Sequence, residues 1–154
     1  MSTTKAILQQ VQTTLKADAT LLAYVGDRVY LGQRRNLTDV DFPCIFLEPE
    51  TIVEEYAAYP KIDGNLRILI AAFTRTHDLD AQLIGETTAK GILELEKDIK
   101  AALGAQYPTL NNTVIEFLFP RTEFGVREDL ASSPVRALVI EMELHYRTDL
   151  AART

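Results

Sequence analysis

The chain has 154 residues, of which 47% are hydrophobic and 25% charged, a length and composition typical of one folded domain. These proportions exclude an intrinsically disordered protein, and no apolar run approaches the ~20 residues that a membrane-spanning helix requires. The net charge of −6 argues against a nucleic-acid-binding protein, because such proteins use clustered Lys and Arg to bind phosphates. The N-terminus also lacks the uninterrupted apolar stretch of a secretory signal.

The first predicted element is an amphipathic helix. Ile7, Val11 and Leu15 recur at intervals of four residues, which places them on one helical face. A second short apolar group, residues 21–25, follows and ends at Gly26. Glycine commonly ends a helix, so we expect the chain to turn at Gly26 and then to become extended.

Two predicted strands follow a polar loop. Residues 44–53 have the composition of a strand, but Pro49 cannot donate a ladder hydrogen bond, so this strand should be an edge or be bulged there. Residues 66–73 are apolar on both faces apart from one arginine, which predicts the centre of the sheet. The connection of residues 54–65 is too long for a tight hairpin turn.

A long second helix is predicted from a stripe of apolar residues that runs from Leu79 to Leu103. Asp78 or Asp80 can cap its N-terminus, and Gly104 is its expected end. Gly91 falls inside the stripe at a cost of about 1 kcal/mol relative to alanine. We therefore expect another stretch of backbone to approach closely at Gly91.

Two further strands complete the domain. Residues 113–124 contain Pro120, which again indicates a bulge or an edge, and residues 134–148 alternate between apolar and polar side chains. The predicted fold is α+β, a two-layer sandwich with a mostly antiparallel four-stranded sheet and two main helices packed on one face. We expect residues 1–154 to form a single domain with a long acidic β-hairpin arm around residues 51–64.

The sequence contains no motif for catalysis, for a metal or for a cofactor. Cys44 is the single cysteine, the two histidines are far apart, and the glycines do not form a phosphate-binding loop. A nucleophilic pair of Cys44 and His145 would need the fold to bring them together, whereas the apolar run around Cys44 favours a buried, inert thiol. The sequence therefore identifies no catalytic, cofactor-binding or metal-binding residue.

Charge is unevenly distributed along the chain. Residues 1–35 carry five basic and two acidic side chains, whereas residues 36–63 carry one basic and seven acidic ones. Such a chain could associate head to tail with copies of itself, although solvated faces would give the same pattern. Tyrosines in the acidic segment would either contact a partner or fold back on their own domain. The candidate interface residues are Arg34, Arg35, Glu54, Glu55, Tyr56 and Tyr59.

Three stretches, LLAYVGDRVYLGQRR, DFPCIFLEPE and FTRTHDLDAQ, carry a resemblance to a known family. Over residues 5–148, their order, length and spacing resemble the tail-terminator, or tail-completion, proteins of long-tailed bacteriophages. In that family a segment like residues 26–30 is followed by an element like residues 42–45. Arg28, Tyr30 and Pro43 match this motif, and the resemblance implies that they set the fold and take no part in catalysis.

The resemblance implies a virion protein of the tail or neck that is present in the host cytoplasm during assembly. Family members form a ring, usually of six copies, on the last layer of the tail tube. The ring stops polymerisation of the tube protein and offers a surface to the head-proximal connector, and a sheath protein is a further possible partner. DNA passes through the ring without specific binding, and neither catalysis nor a cofactor is implied.

Three alternatives remain open from the sequence. A different neck or tail adaptor of the same fold would match nearly as well. An adaptor could bind one host or virion protein through residues 51–63. A small α+β enzyme or ligand-binding domain could use Cys44.

Overall fold

The computed structural model describes residues 4–75, 83–85, 90–128 and 135–149. The elements occur in the order α1 (Thr4–Ala17), α2 (Ala19–Leu22), β1 (Val29–Leu31), a 3-10 turn (Asp39–Asp41), β2 (Cys44–Ala58), β3 (Lys61–Thr74), α3 (Ile92–Gly104), β4 (Glu116–Arg127) and β5 (Val135–Asp149). The described helices are all shorter and more polar than a membrane crossing demands.

Helix α1 forms where the sequence predicts it, and its apolar stripe of Ile7, Val11 and Leu15 is fully buried. Asp18 caps the short helix α2, because its Oδ1 accepts a hydrogen bond from the backbone N–H of Leu21 at 3.0 Å. The chain then turns at the predicted glycine, Gly26, whose φ of +64° lies in the left-handed region.

The sheet has five strands in the order β1-β2-β3-β5-β4, so the prediction of four strands was wrong. Residues 29–31 form the additional strand, which pairs in parallel with residues 45–47, whereas every other pairing is antiparallel. A strand of three residues is too short to show an alternating pattern of apolar and polar side chains. A parallel pairing is also harder to predict than an antiparallel one, because no short hairpin turn joins the two strands. The sheet is therefore mixed, although the helices cover one face as expected.

Strands β2 and β3 form one long hairpin. The predicted bulge lies between Pro49 and Thr51, and β3 is the central strand of the sheet, as its apolar composition indicated. The prediction that residues 54–65 are a long connection was wrong, because the strands continue through them and only Tyr59 and Pro60 form the turn. The alternation of buried and exposed side chains in β3 continues to the hairpin turn, since Ile62 is buried.

Helix α3 begins at Ile92, so an uninterrupted helix across Gly91 was a wrong prediction. Gly91 is the N-cap residue and has an extended backbone, with φ −87° and ψ 174°. The expected close approach of backbone at Gly91 is confirmed, since an added Cβ would lie 2.3 Å from the backbone nitrogen of Gly85. The helix ends at Gly104 as predicted, while the proposed caps Asp78 and Asp80 lie outside the described residues.

Strands β4 and β5 lie at the far side of the sheet. The register of β4 shifts between Leu118 and Arg121, so Pro120 occurs at a bulge of an edge strand as expected. Ile115 precedes β4 and is half exposed, whereas Phe117 within the strand is buried. The alternation of β5 is confirmed by one row of buried side chains, which comprises Leu138, Ile140, Met142, Leu144 and Tyr146.

The two faces of the sheet differ in chemistry. Between the helices and the sheet lies the main hydrophobic core, in which β3 contributes Leu66, Ile68 and Ile70. The opposite face, called here the outer face, carries a smaller apolar cluster around Phe46 and Phe73 near the start of β2. Further along the strands, the outer face is charged.

Candidate subunit interface

The arm of the protein is defined here as residues 49–64 together with residues 144–149 of β5. It is a three-stranded extension of the sheet, because Lys61 pairs with Asp149 beside the hairpin turn. β1 pairs only with residues 45–47, so no described strand covers the outer edge of β2 from Glu48 to Ala58. The arm therefore presents about ten residues of unpaired backbone.

Apolar side chains of the arm are exposed to solvent. Tyr56 is 69% exposed, Tyr59 is 82% exposed, and Val53 is 63% exposed. None of these side chains is therefore packed into the core of its own domain. Large exposed apolar and tyrosine side chains are typical of surfaces at which proteins meet.

The basic groups of the arm are occupied by partners within the arm. Lys61 Nζ lies 2.7 Å from Asp149 Oδ1, and Arg147 makes two hydrogen bonds to Asp63, of 2.6 and 3.0 Å. The hydrogen bond from Arg147 lowers the pKa of the Asp63 carboxyl below its ordinary value. Glu55 forms no ion pair with any described residue, so its negative charge is available to a partner.

Arg34 and Arg35 lie beside the base of the arm. Arg34 donates hydrogen bonds to the carbonyls of Leu31 and Gly32 and lies over the ring of Tyr30, 4.9 Å from its centroid. Arg35 is exposed and has no ion pair among the residues that the structure describes. The two arginines therefore differ, since backbone carbonyls and the ring of Tyr30 hold Arg34 in place, whereas Arg35 has no such contact with a described residue.

The candidate interface residues do not form one cluster within a single copy. The loop that carries Arg34 is anchored to Glu48, whose Oε1 accepts a hydrogen bond from the backbone N–H of Gln33. Glu55 lies seven residues further along β2, a separation of about 23 Å at ~3.3 Å per residue. A contact of Arg34 or Arg35 with Glu55 thus requires two copies of the chain.

The three motif residues Arg28, Tyr30 and Pro43 meet at the junction of β1 and β2. Arg28 Nε donates to the carbonyl of Pro43 at 3.0 Å, and Nη2 donates to the carbonyl of Tyr24 at 2.8 Å. The ring of Tyr30 packs against Phe46, with 5.9 Å between the centroids. Arg28 thus ties the end of α2 to the start of β2.

Replacing Arg28 with alanine should lower the free energy of unfolding by about 1–3 kcal/mol, because two half-buried carbonyls lose their donors. Urea denaturation followed by circular dichroism measures the change. Arg35→Ala is the matched control, which should change stability by no more than about 0.5 kcal/mol. Equal losses in both variants would contradict a structural role for Arg28.

Cys44 cannot act with His145. Cys44 is buried beside Phe73 at one end of β3, whereas exposed His145 lies opposite Asn65. These positions are eight residue steps apart along β3, a separation of about 26 Å. Burial also raises the pKa of the Cys44 thiol to about 12.

Native Cys44 should therefore react with iodoacetamide at pH 8 about a thousandfold more slowly than in the unfolded chain, since a pKa raised from 9.0 to about 12 lowers the thiolate fraction by about that factor. Mass spectrometry after timed alkylation, with and without urea, measures the two rates. Similar rates in the two conditions would show that the thiol is accessible and reactive.

One cleft of about 420 Å³ lies along the arm. Its polar groups include Asn65, His145 and the Asp63–Arg147 pair, and it is open to solvent along one side. In the described ranges, no three His, Cys, Asp or Glu side chains are placed to hold a metal ion. The cleft is a feature of the exposed arm. Asp63 and Arg147 pair with each other in it, whereas Glu55 of its lining has no ion pair among the described residues.

The far edge of the sheet is a further candidate interface, which the sequence analysis did not identify. β4 pairs with β5 on one side, and no described strand lies on its other side. Phe124 is 49% exposed, Val126 is 51% exposed, and both belong to this edge strand. The alternation of Phe124 and Val126 was the available signal, but an edge position cannot be recognised without the strand order.

Comparison with known proteins supports the fold. No protein family and no curated protein matches the sequence. Among solved structures, the chain is similar to a chain of the structure titled "Virion of native gene transfer agent (GTA) particle". The similarity covers 90% of this chain and 93% of that chain, with a TM-score of 0.51 and 16% identity. The chain therefore shares its fold with a component of a virion particle.

Proposed function

We propose that this protein is a structural subunit of a bacteriophage-type virion and that it acts as a tail terminator. The observation that carries the proposal is the shared fold with a chain of a gene transfer agent virion, which spans 90% of this chain. The resemblance of residues 5–148 to tail-terminator proteins supports the same function. In this account the protein works through assembly and carries no catalytic site, cofactor or metal.

The proposed active form is a ring of six copies that caps the tail tube and stops its polymerisation. A ring requires a heterologous interface, in which two different surfaces of each copy meet. The arm and the outer edge of β4 lie at opposite sides of the sheet, which suits two such surfaces. Arg34, Arg35, Glu54, Glu55, Tyr56 and Tyr59 are the proposed interface residues, and Arg28, Tyr30 and Pro43 are the proposed fold-setting residues.

The proposed partners are the tail tube protein on one side of the ring and the head–tail connector, or stopper, on the other. A sheath protein would be a further neighbour in a contractile tail. DNA would pass through the ring, and the net charge of −6 supports free passage because it repels phosphate groups. The protein would reside in the tail or neck of the virion and, before assembly, in the host cytoplasm.

The proposal is tested by measuring the mass of the purified protein alone and after mixing with tail tubes from the same genome. We expect a ring mass in solution or on the tubes, with the protein bound at one tube end. A protein that stays monomeric and never pellets with tubes would refute the terminator function. Binding to another neck component but not to tubes would instead identify an adaptor of the same fold.

A further inference from the structure

In the part of the chain that the structure describes, the sheet has two open edges, at opposite sides. One is the outer edge of β2 along the arm, and the other is the outer edge of β4. The arm edge is free of proline between Glu50 and Ala58, and β4 is free of proline between Arg121 and Arg127. Both segments can therefore donate and accept a full ladder of backbone hydrogen bonds.

We infer that the β4 edge of one copy pairs antiparallel with the arm edge of the next copy, so that the sheet continues from subunit to subunit. This inference rests on the proposed ring and specifies how its subunits are joined. The strand directions support it: three successive antiparallel pairings make β4 run opposite to β2 within one copy. Rotation about a ring axis along the strands preserves direction, so β4 meets the neighbour's β2 as an antiparallel partner.

Side chains along the two edges select one register. When Arg121 is placed opposite Glu55 of the neighbour, Phe124 lies opposite Ile52. Arg121 and Glu55 both belong to the outer face, since they pair with Glu141 and Asp63 in their own sheets. An opposite-charge pair directly across a ladder is favourable, and in the free subunit Arg121 has only a solvent-exposed ion pair with Glu123.

The helix-side residues agree with the same register. Phe124 and Ile52 pair with the buried residues Leu138 and Leu66 of their own sheets, yet each is about half exposed, at 49% and 48%. Their contact across the junction would cover both side chains. The neighbouring position places Thr122, whose hydroxyl has no hydrogen-bond partner among the described residues, opposite the carboxylate acceptor Glu54.

Alternative registers are less favourable. A shift by two residues in one direction places Glu123 opposite Glu55 and so creates a pair of like charges. The same shift in the other direction places Arg121 opposite Val53 and Phe124 opposite Glu50, so both favourable pairs are lost. A shift by one residue would turn the helix side of one sheet toward the outer side of the next. The charge pair Arg121–Glu55, the apolar pair Phe124–Ile52 and the polar pair Thr122–Glu54 therefore favour the same register.

Disulfide cross-linking between paired cysteines tests this alignment. The first variant carries Val53→Cys and Glu123→Cys, and the second carries Glu54→Cys and Thr122→Cys. Adjacent pairs alternate between hydrogen-bonded and closer non-hydrogen-bonded types, so one of the two variants has the shorter separation. Native Cys44 is buried and does not compete. The matched control, Glu54→Cys with Glu123→Cys, directs the two thiols to opposite faces.

The variants are oxidised mildly at a concentration at which the ring mass is present, and the products are separated without reductant. We expect a ladder of covalent multimers from at least one matched pair, about tenfold above the control. Variants that carry only one of the two substitutions of a pair serve as further controls. They can form covalent dimers only, because each has one accessible thiol. Circular dichroism confirms that each variant is folded.

A ring without a ladder from either matched pair would overturn the edge pairing while leaving the proposed function intact. A control that cross-links as strongly as the matched pairs would overturn the register. Failure to find any ring, with or without tubes, would refute the ring itself together with the junction.

Discussion

Replacing Gly64 with alanine is expected to lower the free energy of unfolding by about 3 kcal/mol, at the upper end for overpacking a buried site. The ring of Tyr146 lies directly across Gly64 on the helix side of the arm, and Tyr146 is almost fully buried. An added Cβ would lie 2.2 Å from the Cζ atom of Tyr146, well inside van der Waals contact. The ring must therefore move, and the arm loses the packing that holds β3 against β5. Chemical denaturation of both proteins measures the effect.

Two companion variants separate this clash from a general effect of removing a strand glycine. Gly125→Ala in β4 introduces a Cβ with nothing within 4 Å, so it should be neutral or slightly stabilising. Tyr146→Ala should be destabilising alone but should make Gly64→Ala nearly neutral in the double variant, because the clash is removed. If the losses of unfolding free energy from the two substitutions add in the double variant, the ring of Tyr146 does not pack against Gly64.

Replacing Ile70 with alanine should lower the free energy of unfolding by about 4 kcal/mol. Ile70 is fully buried in the central strand, directly between Leu47 of β2 and Ile140 of β5. Its removal leaves a cavity bounded by three strands and the helices, which the sheet backbone cannot close. Since a domain is stabilised by only about 5–15 kcal/mol in total, this loss should be large enough to lower the midpoint of thermal unfolding by many degrees.

Leu69→Ala is the matched control for Ile70→Ala. Leu69 is the next residue of the same strand but faces the outer side, where it lies between Glu48 and Glu141 and is only half-buried. Its truncation should cost about 1 kcal/mol, because less apolar area is removed from contact. A larger loss from Leu69→Ala than from Ile70→Ala would reverse the assignment of the two sheet faces.

The parts of the fold with strong periodicity could be predicted from the sequence. The alternation of β5 and the continuous apolar run of β3 identified both strands, and Pro49 and Pro120 identified the bulges. These signals are local, because each follows from which side chains face the core or from a missing N–H group. Helix α1 could likewise be predicted from its apolar stripe of Ile7, Val11 and Leu15.

Other parts depend on contacts between distant segments. β1 has three residues, so only its pairing with residues 45–47 defines it as a strand. The apolar stripe before Ile92 appeared continuous with α3, but the close approach of Gly85 to Gly91 interrupts it. A helical period cannot reveal such an interruption, because the apolar residues on either side still follow the pattern.

The candidate interface was predictable in composition but not in arrangement. The acidic residues and tyrosines of the arm indicated a contact surface, yet nothing local showed that β5 continues beside them to Asp149. The edge of β4 was missed for the same reason, since an edge is a property of strand order. Phe124 and Ile52 become a plausible pair only when both open edges are known.

The most direct test of the central claim, that the protein acts by assembling on a tail, is the length distribution of tail tubes in electron micrographs. Tubes would be polymerised from purified tube protein with and without this protein at equal molar amounts. We predict shorter, uniform tubes that carry a ring at one end, because the ring blocks further addition. Tubes of unchanged length with bare ends would contradict the account.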